Sequence, residues 1–300
     1  DLCEANPSRF YRSILPVETR RAASALAAFV NVPAERLAFV ENASQGIATI
    51  ARALRLGPGD EVLATDHVYN AARLMFRHVC EAAGARFVEV PVGMPLASAG
   101  RVLDAIRARL HDRTKLLLID HVASATAAVL PVAEAVALAG ARGVPTLVDG
   151  AHGPGLVDLD VAALGAAAYV GNCHKWLCAP RGAAFLALGP DAPFDLHPLV
   201  VSHSLGQGFP LEFDKIGTRD ASPWLVVPAA IADHEARGGA ALRRRNTDLA
   251  RVAGARVAGR LGTGLGAGPE LHAAMATIRL PDRAGYPSWD MGNAITDLLW

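Results

Sequence analysis

An excess of charge of either sign is missing. The 300 residues carry 29 Lys+Arg and 29 Asp+Glu, a balance that gives no electrostatic reason to expect nucleic acid or anionic lipid as the main partner. Long apolar runs are missing too. None approaches the roughly 18 residues needed to span a bilayer, although 52% of the residues are apolar. That fraction, with only 19% charged residues, excludes a disordered chain. Cysteine is sparse. Cys3, Cys80, Cys173 and Cys178 are few and unevenly spread, which suits a reducing, cytoplasmic setting better than a secreted one. A chain of this length buries roughly three quarters of its unfolded surface and needs no disulfide framework. Asp1-Leu2-Cys3-Glu4 is not a signal peptide, and the lack of an initiator Met points to a natural start further upstream.

What is present is alternation. Short β-type runs end in turn or polar residues: 37–40, 61–65, 86–90, 115–120, 146–149, 167–170 and 183–188. Between most of them lie stretches with helical period, at 45–56, 70–83, 101–110 and 131–141. The pattern predicts an α/β fold: a mostly parallel seven-stranded sheet with helices on both faces. An N-terminal segment (1–20) leads into this large domain (21–238). A connecting helix over 239–261 then opens a smaller, incomplete C-terminal α+β domain (239–300), with one strand at 275–280 and a last partial helix. Ligands of open α/β sheets sit at the carboxyl ends of strands, so the polar residues there carry the functional argument.

Three strand ends stand out. Glu41-Asn42-Ala43-Ser44-Gln45-Gly46 opens a helix. Asn42 is a good N-cap, and the amides of Ala43 and Ser44 with the Ser44 hydroxyl make an anion seat. An ordinary capped helix reads the same way; neither a Walker A loop nor G-x-G-x-x-G is present, which disfavours a nucleotide-binding oxidoreductase. Asp149, in Val148-Asp149-Gly150-Ala151-His152, ends an apolar strand, where a carboxylate needs a donor or cationic partner. Capping of the following turn is the plain alternative. Lys175, in Gly171-Asn172-Cys173-His174-Lys175-Trp176, follows the next strand, where desolvation favours the free amine. A phosphate seat, a strand-end acid and a strand-end amine are together what pyridoxal 5'-phosphate demands: a cradle for its phosphate, a partner for its pyridine nitrogen and an amine for its aldehyde.

The strings Asp149-Gly150-Ala151-His152, Gly171 through Gly182 and Gly217-Thr218-Arg219-Asp220-Ala221-Ser222 resemble the fold-type I, class V aminotransferase superfamily. Within it they resemble the isopenicillin N epimerase-like branch, which includes cysteine-conjugate enzymes of lincosamide-type antibiotic pathways. The resemblance implies Lys175 as Schiff-base lysine, Asp149 as pyridinium partner and His67 as the ring stacked on the cofactor, with Tyr69 in reserve. It implies His152 and Ser124 at the cofactor's phenolic oxygen, and Ala43, Ser44, Asn172 and His174 in the phosphate cup. Asn172 stands where many relatives have Ser. Thr218 matches a residue that reaches the neighbouring subunit's phosphate, which implies an obligate homodimer. Arg219 is a candidate substrate contact, against a surface salt bridge with Asp220. No metal site is expected, since Cys173 and Cys178 lack a second ligand pair.

Two departures stand out. The family's opening glycine-containing segment is absent, and its substrate-carboxylate arginine falls beyond Trp300. Arg9 and Arg12 are possible substitutes. The reaction expected is C–S lysis of an S-conjugated cysteine, or related chemistry at an amino-acid Cα, in secondary metabolism. Epimerisation of isopenicillin N type, transamination and a non-catalytic binding role remain as alternatives. Persulfide-type desulfuration is disfavoured because no cysteine follows Cys178.

Overall fold

A computed structural model describes residues 2–281. Its centre is a seven-stranded sheet in the order β1-β7-β6-β5-β4-β2-β3, formed by β1 (Leu37–Val40), β2 (Glu61–Thr65), β3 (Arg86–Val90), β4 (Thr114–Asp120), β5 (Thr146–Gly150), β6 (Ala168–Asn172) and β7 (Ala184–Leu188). The pairings among β2 to β6 are parallel, and β7 runs antiparallel to both β1 and β6. The reversal has a local cause. Residues 173–183 join β6 to β7 without a helix, and a parallel return needs a crossover of a dozen or more residues.

Successive residues along each strand feed two cores. Phe39, Leu63, Leu117, Ile119, Val148 and Phe185 pack on one face with Ala23 and Leu26 of the helix Leu15–Phe29. Val40, Val62, Leu116, Leu118, Leu147 and Val170 pack on the other with Ile47, Ile50 and Phe76. Burial on both faces is why these strands read as continuous apolar runs. The helix Leu15–Phe29 runs through the expected boundary between residues 20 and 21, burying Thr19, Ala22 and Ala23, so part of the N-terminal segment packs with the large domain. The connecting helix is Ala240–Leu261.

One expected element is corrected. Residues 275–280 form no strand; only an isolated bridge joins Leu265 to Ile278. Its neighbour is short: the Gly266 N–H donates to the Thr277 carbonyl and the Arg279 N–H to the Gly264 carbonyl, and among the described residues the pairing extends no further into a ladder. The expected final helix lies outside the described residues.

Candidate active site

Three connections place the site at the carboxyl end of the sheet. The helix Ala43–Ala53 starts at Asn42, whose Oδ1 accepts the Gln45 N–H at 2.9 Å. Gly46 lets it lie close on β6: a Cβ there would fall 2.1 Å from Val170 Cγ1. The helix start therefore sits against Asn172, the last residue of β6. β5 ends at Asp149 and Gly150, and the turn beyond carries His152. Lys175 follows β6 by three residues.

A cavity of about 210 Å³ gathers Ala43, Ser44, Tyr69, Ser124, Asp149, His152, Asn172, His174 and Lys175. It also takes in Asp120, at the end of β4, which sequence reasoning missed. The rule that singles out Asp149, a carboxyl closing an apolar strand, applies equally to Asp120.

Burial holds the carboxyl of Asp149 above its ordinary range, against the Ala151 N–H, which donates to Oδ1 at 3.0 Å, and the charge of Lys175. The carboxyl of Asp120 is raised well above its range, by burial and then by the charge of Asp149. It accepts the Tyr69 backbone N–H, while Oδ1 has no hydrogen-bond partner. Burial lowers the pKa of Lys175, with Asp149 and Asp120 pulling the other way. Lys175 Nζ lies 3.0 Å from His152 Nε2, and the Trp176 indole N–H donates to His152 Nδ1 at 3.1 Å. His152 is pushed down to about 4 by burial and by Lys175, so it is neutral at physiological pH.

Several expected residues lie elsewhere. His67 is a correction: its ring is 4% exposed and turned inward, bonded to Thr126 Oγ1 at 2.8 Å and the Gly93 carbonyl at 3.3 Å. Tyr69, two residues on and 44% exposed, lines the cavity instead. The Ala43 N–H is also committed, donating to Asn172 Oδ1 at 2.8 Å. Ser44, the Asn172 side-chain amide and His174 are left as the anion seat. Thr218 is exposed and does not line its own chain's cavity. Arg219 lies over the Trp224 ring at 3.7 Å and 3.6 Å from Glu41, rather than in a surface pair with Asp220. It borders an adjoining cavity of about 620 Å³ that shares Asn42 and His174 with the first. Arg9 and Arg12 are exposed.

The donor set fits pyridoxal phosphate: hydroxyl, amide and imidazole at a helix start for a phosphate, a buried acid for a ring nitrogen, and a desolvated amine for an aldehyde. The unpartnered Asp120 oxygen in the cavity wall adds polar capacity that no protein group meets.

The class-V aminotransferase family model matches residues 16–257. The chain belongs to that family. Its members are pyridoxal-phosphate enzymes, and this is the cofactor for which the cavity is furnished. Isopenicillin N epimerase of Amycolatopsis lactamdurans is 36% identical over 95% of this chain and 78% of its own. An L-cysteine desulfhydrase of Arabidopsis thaliana is 37% identical over 67% of this chain and 46% of its own. A rice (Oryza sativa subsp. japonica) relative with a provisional L-cysteine desulfhydrase name is 36% identical over 95% of this chain. The chain spans 63% of that rice protein. Among solved structures, a cysteine desulfurase of Thermococcus onnurineus NA1 superposes with a TM-score of 0.75 at 18% identity, over 92% of this chain and 74% of that one. The cystine C–S lyase C-DES, bound to its product cysteine persulfide, gives 0.66 at 22% identity, over 78% and 65%. These two likenesses show the fold. No helix among the described residues is long and apolar enough to cross a membrane.

Proposed function

We propose that this chain cleaves the C–S bond of an S-conjugated cysteine by β-elimination, with pyridoxal phosphate held at Lys175. The observation that carries the reading is the Lys175 amine, desolvated and 3.0 Å from His152, in one cavity with Asp149 and the anion seat. When bound, the cofactor supplies a ring that accepts electrons from the substrate Cα. The protein does the rest. Ser44, Asn172 and His174 hold the phosphate, Asp149 keeps a proton on the ring nitrogen, Ser124 and His152 approach the phenolic oxygen, and Tyr69 covers one face. Lys175, displaced by the substrate's amine, takes the Cα proton onto its nitrogen lone pair. The sulfur then leaves with the Cβ–S electron pair, and the remaining three-carbon unit hydrolyses to pyruvate and ammonia.

The names of the desulfhydrase and C–S lyase relatives support lysis; the epimerase's name supports a second reading, reprotonation of Cα on the opposite face, and a setting in secondary metabolism. We place the enzyme in the cytoplasm, in keeping with its free cysteines. We read it as a homodimer in which exposed Thr218 reaches the partner's phosphate. Purified protein is expected to be yellow. Borohydride is expected to bleach it and fix the cofactor to Lys175 rather than to Lys115 or Lys215, the other lysines of the chain. Incubation with an S-substituted cysteine should release pyruvate, ammonia and thiol. Deuterium entering Cα without those products would select epimerisation. A colourless protein that gains no visible band with added pyridoxal phosphate would leave only a non-catalytic role.

A further inference from the structure

We propose that Trp176 is a positioning residue that keeps Lys175 a free amine by fixing the tautomer of His152. The assignment follows from what each group can donate. An indole N–H is a donor only, so His152 Nδ1, 3.1 Å from Trp176 Nε1, must be the acceptor nitrogen. A neutral imidazole with its lone pair on Nδ1 carries its proton on Nε2. That N–H faces Lys175 Nζ at 3.0 Å. An ammonium has three donors and no acceptor, so the contact can be a hydrogen bond only when Nζ is an unprotonated amine. An imidazolium is excluded on the other side, because it would set an N–H against the indole N–H.

The indole is held in place for this task. Trp176 packs against a small core of Val122, Leu156 and Ala273. Its carbonyl lies so near Gly155 that a Cβ there would fall 2.6 Å away. The groups facing Lys175 divide into two sets. Asp149 from β5 and Asp120 from β4 favour the ammonium, while burial opposes it. His152 and His174 line the same cavity. Burial is the larger of these influences, and to it the Trp176–His152 pair adds a specific contact that only the amine can make.

This deepens the proposed function and rests on it for the amine's use. With pyridoxal phosphate bound, Lys175 would have to be in this free-amine form to hold the cofactor through its aldehyde, with water released. The amine's lone pair later receives the Cα proton.

The test needs no cofactor. Cofactor-free protein is acetylated with acetic anhydride across a pH series, and the label at Lys115, Lys175 and Lys215 is counted by mass spectrometry. In Trp176→Phe, which keeps an aromatic ring but loses the N–H, the midpoint for Lys175 is expected to rise by about one pH unit. That is about tenfold less labelling at neutral pH. Lys115 and Lys215 should not change. An unshifted Lys175 midpoint would overturn the inference. Nitrogen NMR of His152 in the unsubstituted protein gives an answer independent of how the variant folds: a proton on Nε2 is expected, and a proton on Nδ1 refutes the assignment. A Trp176-dependent midpoint in a protein that gains no visible band with pyridoxal phosphate would sustain this inference and defeat the proposed function.

Discussion

Asp120 and Asp149 are register partners on β4 and β5, so two buried carboxyls end side by side at one cavity. Both are held above their ordinary range by burial. Below about pH 4 the carboxyls are protonated whether the chain is folded or not, and burial costs little. As pH rises through the window between the unfolded value and the raised folded one, the unfolded chain releases its proton first, so folded stability falls. Asp120→Asn removes one such group while keeping an acceptor for the Tyr69 N–H. The cofactor-free variant should therefore be more stable than the unsubstituted protein at neutral pH. The gap should grow by no more than about 1.4 kcal/mol per pH unit in that window and vanish near pH 4. Urea unfolding at a series of pH values measures it; a gap independent of pH would mean that Asp120 is not buried as a neutral acid.

Tyr69 and His67 separate by burial. His67 ties the Gly93 carbonyl to Thr126, on the loop that carries Ser124, whereas Tyr69 faces the cavity. Tyr69→Ala should weaken pyridoxal phosphate binding, by about tenfold on the scale of one lost stacking contact, with little change in unfolding midpoint. His67→Ala should lower the unfolding midpoint, since it leaves buried partners unpaired. Cofactor titration by absorbance and thermal unfolding, measured on both variants, distinguish the two roles. The reverse pattern would restore His67 as the stacking ring.

His174 gives a pH dependence with a definite sign. Its Nδ1 lies 2.7 Å from the Ala183 carbonyl, an acceptor only, so Nδ1 carries a proton and neutral His174 turns a lone pair at Nε2 to the cavity. Burial first, then Lys175 and Arg181, lower its pKa, against the Ala183 bond. A phosphate needs a donor there, so its binding takes up a proton. Affinity of the cofactor-free protein for inorganic phosphate should fall by up to about tenfold per pH unit above the ring's pKa, beyond any change due to phosphate itself. His174→Gln, whose amide donates without titrating, should flatten that excess. Calorimetric titration reads both curves, and parallel slopes would remove His174 from the seat.

Much of this architecture was legible from residues alone because both sheet faces are covered. β1, β2 and β3 begin and end at the expected residues: Leu37–Val40 is a buried apolar run, while β3, at the sheet edge, is marked by its alternation of Phe87 and Val88 with Arg86 and Glu89 rather than by burial. Loops carry no such period. Two rings at 67 and 69 are equally plausible over a cofactor until the path of the chain turns one inward. Residues 275–280 misled for the opposite reason, having a strand's alternation but only one isolated bridge, to Leu265. The bond from Trp176 to His152 joins two turns, and nothing in the spacing of those residues marks it.

Gly150 tests the sheet's hold on the site. It follows Asp149 at the end of β5, and a Cβ added there would fall 2.0 Å from the Tyr169 ring. Tyr169 is fully buried on β6, stacked on Phe185 with its hydroxyl 3.1 Å from His121 Nδ1. It has no free space into which to retreat, so β5 must yield or the hydroxyl must leave its partner. Gly150→Ala should therefore cost about 1–3 kcal/mol of stability from overpacking, and somewhat more if the His121 bond breaks. Because the displaced backbone carries Asp149, the cofactor's visible band should shift or weaken even in variant protein that remains folded. Tyr169→Phe in the Gly150→Ala background removes the crowding hydroxyl and should recover part of both losses. Urea unfolding and the absorbance spectrum of single and double variants decide the matter. A stable Gly150→Ala protein with an unchanged band would show that the β5 end is not fixed by Tyr169.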